Sequence, residues 1–238
     1  MALRFSANVS WLFPERATLP ARLEAAARAG FRAAEAAWPA GCEAAALRAA
    51  AARAGLRLVL LNTPPGDPDK GEKGLGAVPG RQSAFREGLA RAVQYAKAVD
   101  CPRIHLMAGR VPVGADRAAV AGEMETTFIE NLRYAADILA QDIFHCQIMD
   151  GNLSRNLETY FPLIGHIQIA QVPGRHEPDS PGEVNFPYLF QLLESLGYTG
   201  YVGCEYAPKG DTVEGLGWLR SYWESRGLRH GETGKATE

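Results

Sequence analysis

No apolar run in the sequence approaches the roughly 20 residues that a helix needs to cross a bilayer. Cysteine is scarce: Cys42, Cys101, Cys146 and Cys204 stand far apart and form no CxxC pair. That excludes a disulfide scaffold or zinc framework and fits free thiols in a reducing compartment. Neither sign of charge dominates. Twenty-five basic residues against 27 acidic ones leave a net charge of −2, which argues against a nucleic-acid partner with a broad basic footprint. With 25 glycines and 15 prolines in 238 residues, the chain is too poor in both to be a mostly disordered polymer. Neither GxGxxG nor GxxxxGK[ST] follows the first strand, so an open nucleotide-binding sheet lacks its phosphate loop. The opening residues MALRFSANVS carry Arg4 and no acid before Glu15, a faint likeness to a transit peptide. They read better as a strand, and a cytoplasmic location without a membrane partner is expected.

Apolar periodicity switches repeatedly between period two and period 3.6. Strands are expected at 3–7, 31–37, 56–61, 103–108, 166–171 and 201–206, with helices at 18–29, 43–54, 82–99, 116–140, 188–196 and 213–225. The segment Asp142 to Cys146 adds a seventh strand. Strands alternating with helices imply parallel pairing through right-handed crossovers. The expected fold class is α/β of the (β/α)₈ TIM-barrel type, incomplete or open because eight strands are needed for closure. It should form a single barrel domain over 1–226, with 227–238 as a disordered tail. The helix at 116–140 should bury one stripe through Val120, Met124, Phe128, Leu132, Ala135 and Leu139. Thr63 to Gly80 is a long loop rich in Pro, Gly and Lys, and its part from Gly71 to Gly80 suits a lid or disorder equally.

Residues two apart on a strand share a face. In HIQIAQ, Ile167 and Ile169 should face the helices and leave His166 and Gln168 pointing inward. In YVGCEY, Glu205 shares its face with Tyr201 and Gly203. His105 points inward from RIHLMAG, Ser6 and Asn8 share a face, and Glu35 sits late in its strand. Burying such groups unpartnered costs several kcal/mol, so their convergence near the strand ends suggests ligands or a substrate. Glu205, flanked by Gly and Cys, has the least structural excuse, whereas His166 leans toward a core role. Asp142 with Gln168 and Glu205 would make an oxygen-rich set suited to Mg²⁺ or Mn²⁺ rather than zinc. Arg175, in the Gly- and Pro-rich loop from Pro173 to Phe186, could clamp an anionic substrate.

Six motifs in order, SANVSWLF from Ser6, IHLMAG from Ile104, DIFHCQ from Asp142, GHIQIAQVPGRHEP from Gly165, PGEVNF from Pro181 and GYVGCEY from Gly200, together resemble the hydroxypyruvate isomerase family of xylose-isomerase-like barrels. The resemblance runs from about Leu3 to Trp223. It implies interconversion of hydroxypyruvate and 2-hydroxy-3-oxopropanoate, a small 2-oxo/hydroxy acid substrate, and a divalent cation, Mg²⁺ or Mn²⁺. It also implies metal-site roles for Asp142, Gln168 and Glu205, a proton-transfer role for Glu205, and a substrate shell of His145 and Arg175, to which His105, Asn8 and Glu35 are added as candidates.

One junction departs from this pattern. The helix ending at Gln141 runs straight into Asp142 without turn residues, where helix-to-strand connections normally take about 2–6 residues. Similar proteins carry there a fifth strand ending in a Glu-Pro-Ile-Asn-like motif, a helix and most of a sixth strand. A βα unit takes about 30 residues, so roughly 35–45 residues are expected to be missing, including the glutamate that would partner Glu205. Open edges should then lower stability and favour aggregation. Alternatives left open are a shortened form that binds or assembles without catalysis, and a related sugar epimerase. Assembly state is open too, a homo-oligomer included.

Overall fold

A computed structural model describes residues 2–135, 140–142, 147–148 and 151–228. The expected substrate residue His145 lies outside the described residues, as does the tail from 229 onward. Among the described residues no helix is long and apolar enough to cross a membrane. Two compact units are present: Met1–Glu35, Ala46–Val59 and Leu139–Glu238 form the first, and Ala36–Ala45 and Leu60–Ile138 the second.

The first unit is a parallel sheet with helices. Its strands are β1 (Arg4–Asn8), β2 (Ala33–Ala36, whose last residue passes into the second unit), β5 (Ala140–Asp142), β6 (His166–Ile169) and β7 (Tyr201–Cys204), in the order β2-β1-β7-β6-β5. Register places Asn8 opposite Glu35 and Ser6 opposite Gly203. Gln168 lies opposite Gly203 on one side and opposite Asp142 on the other. Thr18 caps α1 (Leu19–Arg28) by accepting from Ala21 N at 3.3 Å, and Pro20 occupies its first turn, where a missing N–H costs nothing. Asn185 caps α6 (Phe186–Ser195) in the same way. The core is aromatic: the Phe5 ring meets Phe190, Trp218 and Tyr222 edge-on, with centroids 5.6, 5.5 and 5.1 Å away. That geometry favours quadrupoles and adds to simple burial.

The second unit holds the end of β3 (Arg57–Asn62), paired in parallel with β4 (Ile104–His105), together with α3 (Gln82–Ala98) and α4 (Arg117–Ala135). Leu75, Phe85 and Leu89 make its core, joined by Leu106 and Ala135. The Gly71 to Gly80 stretch is packed rather than disordered. Leu75 N and Gly76 N both donate to Met107 O, and Gly74, at φ +117°, brings its backbone so close that a Cβ there would lie 2.5 Å from that oxygen.

Several expectations are corrected. Strand β4 is only two residues long, and α4 covers Arg117–Ala135, while 136–139 of the expected helix, Leu139 included, lie outside the described residues. Val120, Met124, Phe128, Leu132 and Ala135 are only half-buried, while Thr127 and Asn131 are its buried positions. Asn131 earns that place by donating to Gly76 O at 2.8 Å. Ala140 and Gln141, read as helix from their sequence, belong to a strand because β6 offers them a ladder of backbone partners. The last helix is divided into α7 (Thr212–Gly215) and α8 (Gly217–Ser225). Helices α2 (Ala44–Ala54) and α3 follow the expected bounds within a residue. Helix α5 (Leu153–Tyr160) was not foreseen, although Leu153, Leu157 and Tyr160 stand at helical spacing on one face; of these only Leu157 is buried. Seven strands are thus present among the described residues, one fewer than a closed (β/α)₈ barrel requires.

Candidate active site

Strand ends in the first unit bring five polar side chains onto two carboxylates. Glu35, the third residue of β2, is 0% exposed. Its Oε2 accepts from Ser6 Oγ at 3.1 Å and meets His166 Nε2 at 2.7 Å. Its Oε1 accepts from Asn8 Nδ2 at 3.1 Å and Gln168 Nε2 at 2.8 Å. A carboxylate offers about four lone-pair sites, and all are used. Burial opposes ionisation of Glu35, but the His166 imidazole and the hydrogen bonds from His166, Gln168 and Ser6 outweigh it and hold the carboxyl below its ordinary range. Burial, reinforced by the nearby Glu35 charge, pushes the Cys204 thiol well up.

Glu205 follows β7 directly and is 6% exposed. Asn8 Nδ2 reaches its Oε1 at 3.4 Å, and the Arg175 guanidinium pairs with its Oε2. Asn8 Oδ1 accepts from Ser10 N at 3.1 Å, which turns the amide so that its NH₂ faces both carboxylates. Arg175 stands in the loop after β6, over the Trp11 ring at 4.9 Å, a cation–π contact. The buried Gln171 amide builds that loop: it donates to Pro178 O and Val184 O and accepts from Val172 N and Val184 N. Gly203 admits Glu35, since a Cβ there would lie 2.2 Å from Glu35 Oε2.

Alternation along the strands is as read from the sequence. His166 and Gln168 face Glu35, Ile167 and Ile169 are buried, and Ser6 and Asn8 share a face. The structure brings together Asn8, Glu35, Gln168, Arg175 and Glu205. His105 lies in the second unit, at the end of β4. Asp142 is placed only by its backbone, opposite Gln168. His166 has the core role its sequence position suggested, fully buried, and there it completes the shell of Glu35. Trp11, Gly203 and Gln171 went unrecognised as site-building residues. Only Gly203 carried a signal, as a strand glycine, which often marks a close approach.

No group of three or more His, Cys, Asp or Glu able to hold a metal ion occurs among the described residues. Gln168 Oε1 is buried without a hydrogen-bond partner among them. That amide oxygen, the Glu205 carboxylate and the strand position of Asp142 fit a hard divalent ion in donor chemistry.

Parallel strands alternating with helices, with buried carboxylates and amides at the C-terminal ends of neighbouring strands, define the class of β/α-barrel enzymes. The sequence profile described as "Xylose isomerase-like TIM barrel" matches residues 23–142 and 140–222. A human protein named "Putative hydroxypyruvate isomerase" is 59% identical over 276 positions, covering 98% of this chain and 99% of its own. A "2-oxo-tetronate isomerase" of Haemophilus influenzae is 40% identical, covering 92% and 99%. A crystal structure of "AP endonuclease, family 2" from Brucella melitensis superposes with a TM-score of 0.82 at 39% identity, covering 92% of this chain and 98% of that one. The chain belongs to the xylose isomerase-like TIM-barrel family, in its hydroxypyruvate isomerase branch, and is of isomerase type. Its alignment with the human relative spans 276 positions against 238 residues, so at least 38 positions of that relative have no counterpart here. The two profile matches meet at 140–142, the junction where the sequence lacks a turn.

Proposed function

We propose that this site is built to interconvert hydroxypyruvate and 2-hydroxy-3-oxopropanoate, and that in this chain it retains proton transfer at Glu205 with reduced net turnover. The observation that carries the proposal is the buried Glu205 carboxylate held between Asn8 and the Arg175 guanidinium. A substrate carboxylate can replace Glu205 on Arg175, because a guanidinium pairs with either through the same paired N–H donors. Binding then releases Glu205 from its ion pair beside the substrate carbon.

The step balances simply. Glu205 removes a proton from the carbon next to the carbonyl, the C–H electron pair becomes the enediolate double bond, and negative charge moves to the carbonyl oxygen. Returning the proton to the neighbouring carbon, while the hydroxyl proton passes from its oxygen to the former carbonyl oxygen so that the first C–O becomes the new carbonyl, completes isomerisation; returning it to the same carbon gives only exchange with solvent. Asn8 keeps Glu205 in place, and Trp11 supports the plane of Arg175. Gln168, Glu205 and Asp142 would hold a divalent ion, Mg²⁺ or Mn²⁺, which supplies positive charge opposite the developing oxyanion. The second carboxylate of an acid–base pair would come from the stretch that relatives carry at the 140–142 junction. General acid–base help is worth about 10²–10⁴-fold, so its loss cripples turnover without abolishing the first proton abstraction.

A coupled assay of the purified chain with hydroxypyruvate and added Mg²⁺ or Mn²⁺ tests this. Slow turnover that rises with metal and disappears in Glu205→Gln is expected. Turnover indifferent to that substitution overturns the proposal. The 2-oxo-tetronate isomerases among the relatives favour a four-carbon 2-oxo acid as the second reading, and faster conversion of that substrate in the same assay would select it.

A further inference from the structure

Glu35 lies behind the reacting groups and touches none of them except through its neighbours. We infer that it is a positioning residue whose carboxylate fixes the amide orientation of Gln168 and, through Asn8, the place of Glu205, so that oxygen rather than N–H is left for a ligand at Gln168. The inference rests on the proposed metal site only for what Gln168 Oε1 would meet; the orientation itself follows from hydrogen-bond chemistry.

An ionised carboxylate only accepts. Gln168 can therefore present nothing but its NH₂ to Glu35 Oε1, 2.8 Å away. That choice leaves Oε1 as the free end, and Oε1 is buried without a partner among the described residues. Asn8 is turned by the same rule, since one of its N–H groups serves Glu35 at 3.1 Å and the other reaches Glu205 at 3.4 Å. The buried anion thus sets the Gln168 amide and, together with Ser10 N at the opposite end, the Asn8 amide beside it. The fold reserves space for it: with Gly203 opposite both Ser6 and Gln168 in register, any side chain there would meet the Glu35 carboxylate. An apolar residue at 35 would pack the strands without the cost of burying charge, but it would let the Gln168 amide turn over.

Ser6 and His166, on Oε2, differ from the two amides. A hydroxyl can accept as well as donate, and a neutral imidazole can accept after changing tautomer. Glu35→Gln can therefore place its NH₂ toward Ser6 and His166 and keep an oxygen for Gln168 and Asn8. Glu35→Leu keeps no acceptor. The two substitutions separate orientation from loss of charge.

The test uses the full chain, ¹⁵N-labelled, with the Gln168 side-chain NH₂ assigned by its disappearance in Gln168→Met, and Mn²⁺ binding followed by electron paramagnetic resonance. In the unaltered chain and in Glu35→Gln, the Gln168 NH₂ should exchange slowly with solvent and Mn²⁺ affinity should be alike. In Glu35→Leu the amide should lose protection and Mn²⁺ should bind about 10–100-fold more weakly, the usual penalty for losing a group that orients a ligand. A rapidly exchanging Gln168 NH₂ in the unaltered chain overturns the inference, whether or not Glu35→Leu folds. So does a Glu35→Gln variant as impaired as Glu35→Leu. A protected amide in a chain that binds no Mn²⁺ upholds the orientation and overturns the metal reading instead.

Discussion

Adding one methyl group at Gly203 should disable the site from behind. The Cβ of Gly203→Ala would lie 2.2 Å from Glu35 Oε2 and 2.5 Å from Oε1, while ordinary contact begins near 3.4 Å, so the carboxylate must retreat by about 1.2 Å. Its Oε2 bonds to Ser6 and His166, 3.1 and 2.7 Å long, cannot survive that shift from fixed strand positions. Hydrogen bonds to charged groups are worth about 1.5–3 kcal/mol each, so losing two costs about 3–6 kcal/mol. Urea unfolding followed by tryptophan fluorescence measures it. Gly122→Ala in α4 is the control, because a Cβ there meets nothing within 4 Å, and it should stabilise by about 0.5–1 kcal/mol. In a Glu35→Ala background the space is open, and Gly203→Ala should then cost far less than it does alone. Costs that add to within about 0.5 kcal/mol would refute the reasoning.

Three further outcomes are expected. Acid should unfold the chain through Glu35 and Glu194: burial opposes ionisation of each, but His166 with Gln168 and Ser6 at Glu35, and Arg226 with Tyr222 at Glu194, hold both carboxyls below the ordinary 4.5. The unfolded chain takes up these protons first, so their contribution is complete above about pH 4.5 and lost as pH falls through the lowered folded values. The urea midpoint measured against pH checks it, and Glu194→Gln should flatten that slope. Arg175→Lys should weaken hydroxypyruvate binding about 10- to 100-fold, as expected for losing about 1.5–3 kcal/mol of charge-assisted hydrogen bonding, read by titration calorimetry. Divalent metal at 100 times its dissociation constant should raise stability by about 2.7 kcal/mol, seen as a higher melting temperature that EDTA reverses.

Much of this architecture was legible in the residues. The alternation of HIQI and YVGCE placed Gln168, Gly203 and Glu205 on one face because period two is dictated by the pleat. Arg175 stood out as a cation in a loop at the strand ends. What was not legible depends on partners distant in sequence. His166 is the core histidine it read as, but nothing near it in the chain announces that its partner is Glu35, 131 residues away. Helix α5 was missed although Leu153, Leu157 and Tyr160 mark one face, because eight residues give a helical period only two turns in which to show. The strand character of Ala140 and Gln141 contradicts their local pattern and arises from pairing with β6. Asn8 and Glu35 were read as substrate contacts, yet the observed partners of the Glu35 carboxylate are protein groups. A polar side chain on an inward face can serve the substrate or serve its neighbours, and alternation does not distinguish the two.

In the proposed function, Glu205 moves a proton on the carbon beside a 2-oxo acid carbonyl. Hydroxypyruvate incubated with the chain and Mg²⁺ in heavy water, followed by proton nuclear magnetic resonance, tests it without requiring the second carboxylate. Deuterium should enter the carbon next to the carbonyl faster than in the protein-free control, with the excess rate falling about 10²–10⁴-fold in Glu205→Gln. Exchange that proceeds equally in Glu205→Gln, or none above the control from a folded chain, would contradict the account.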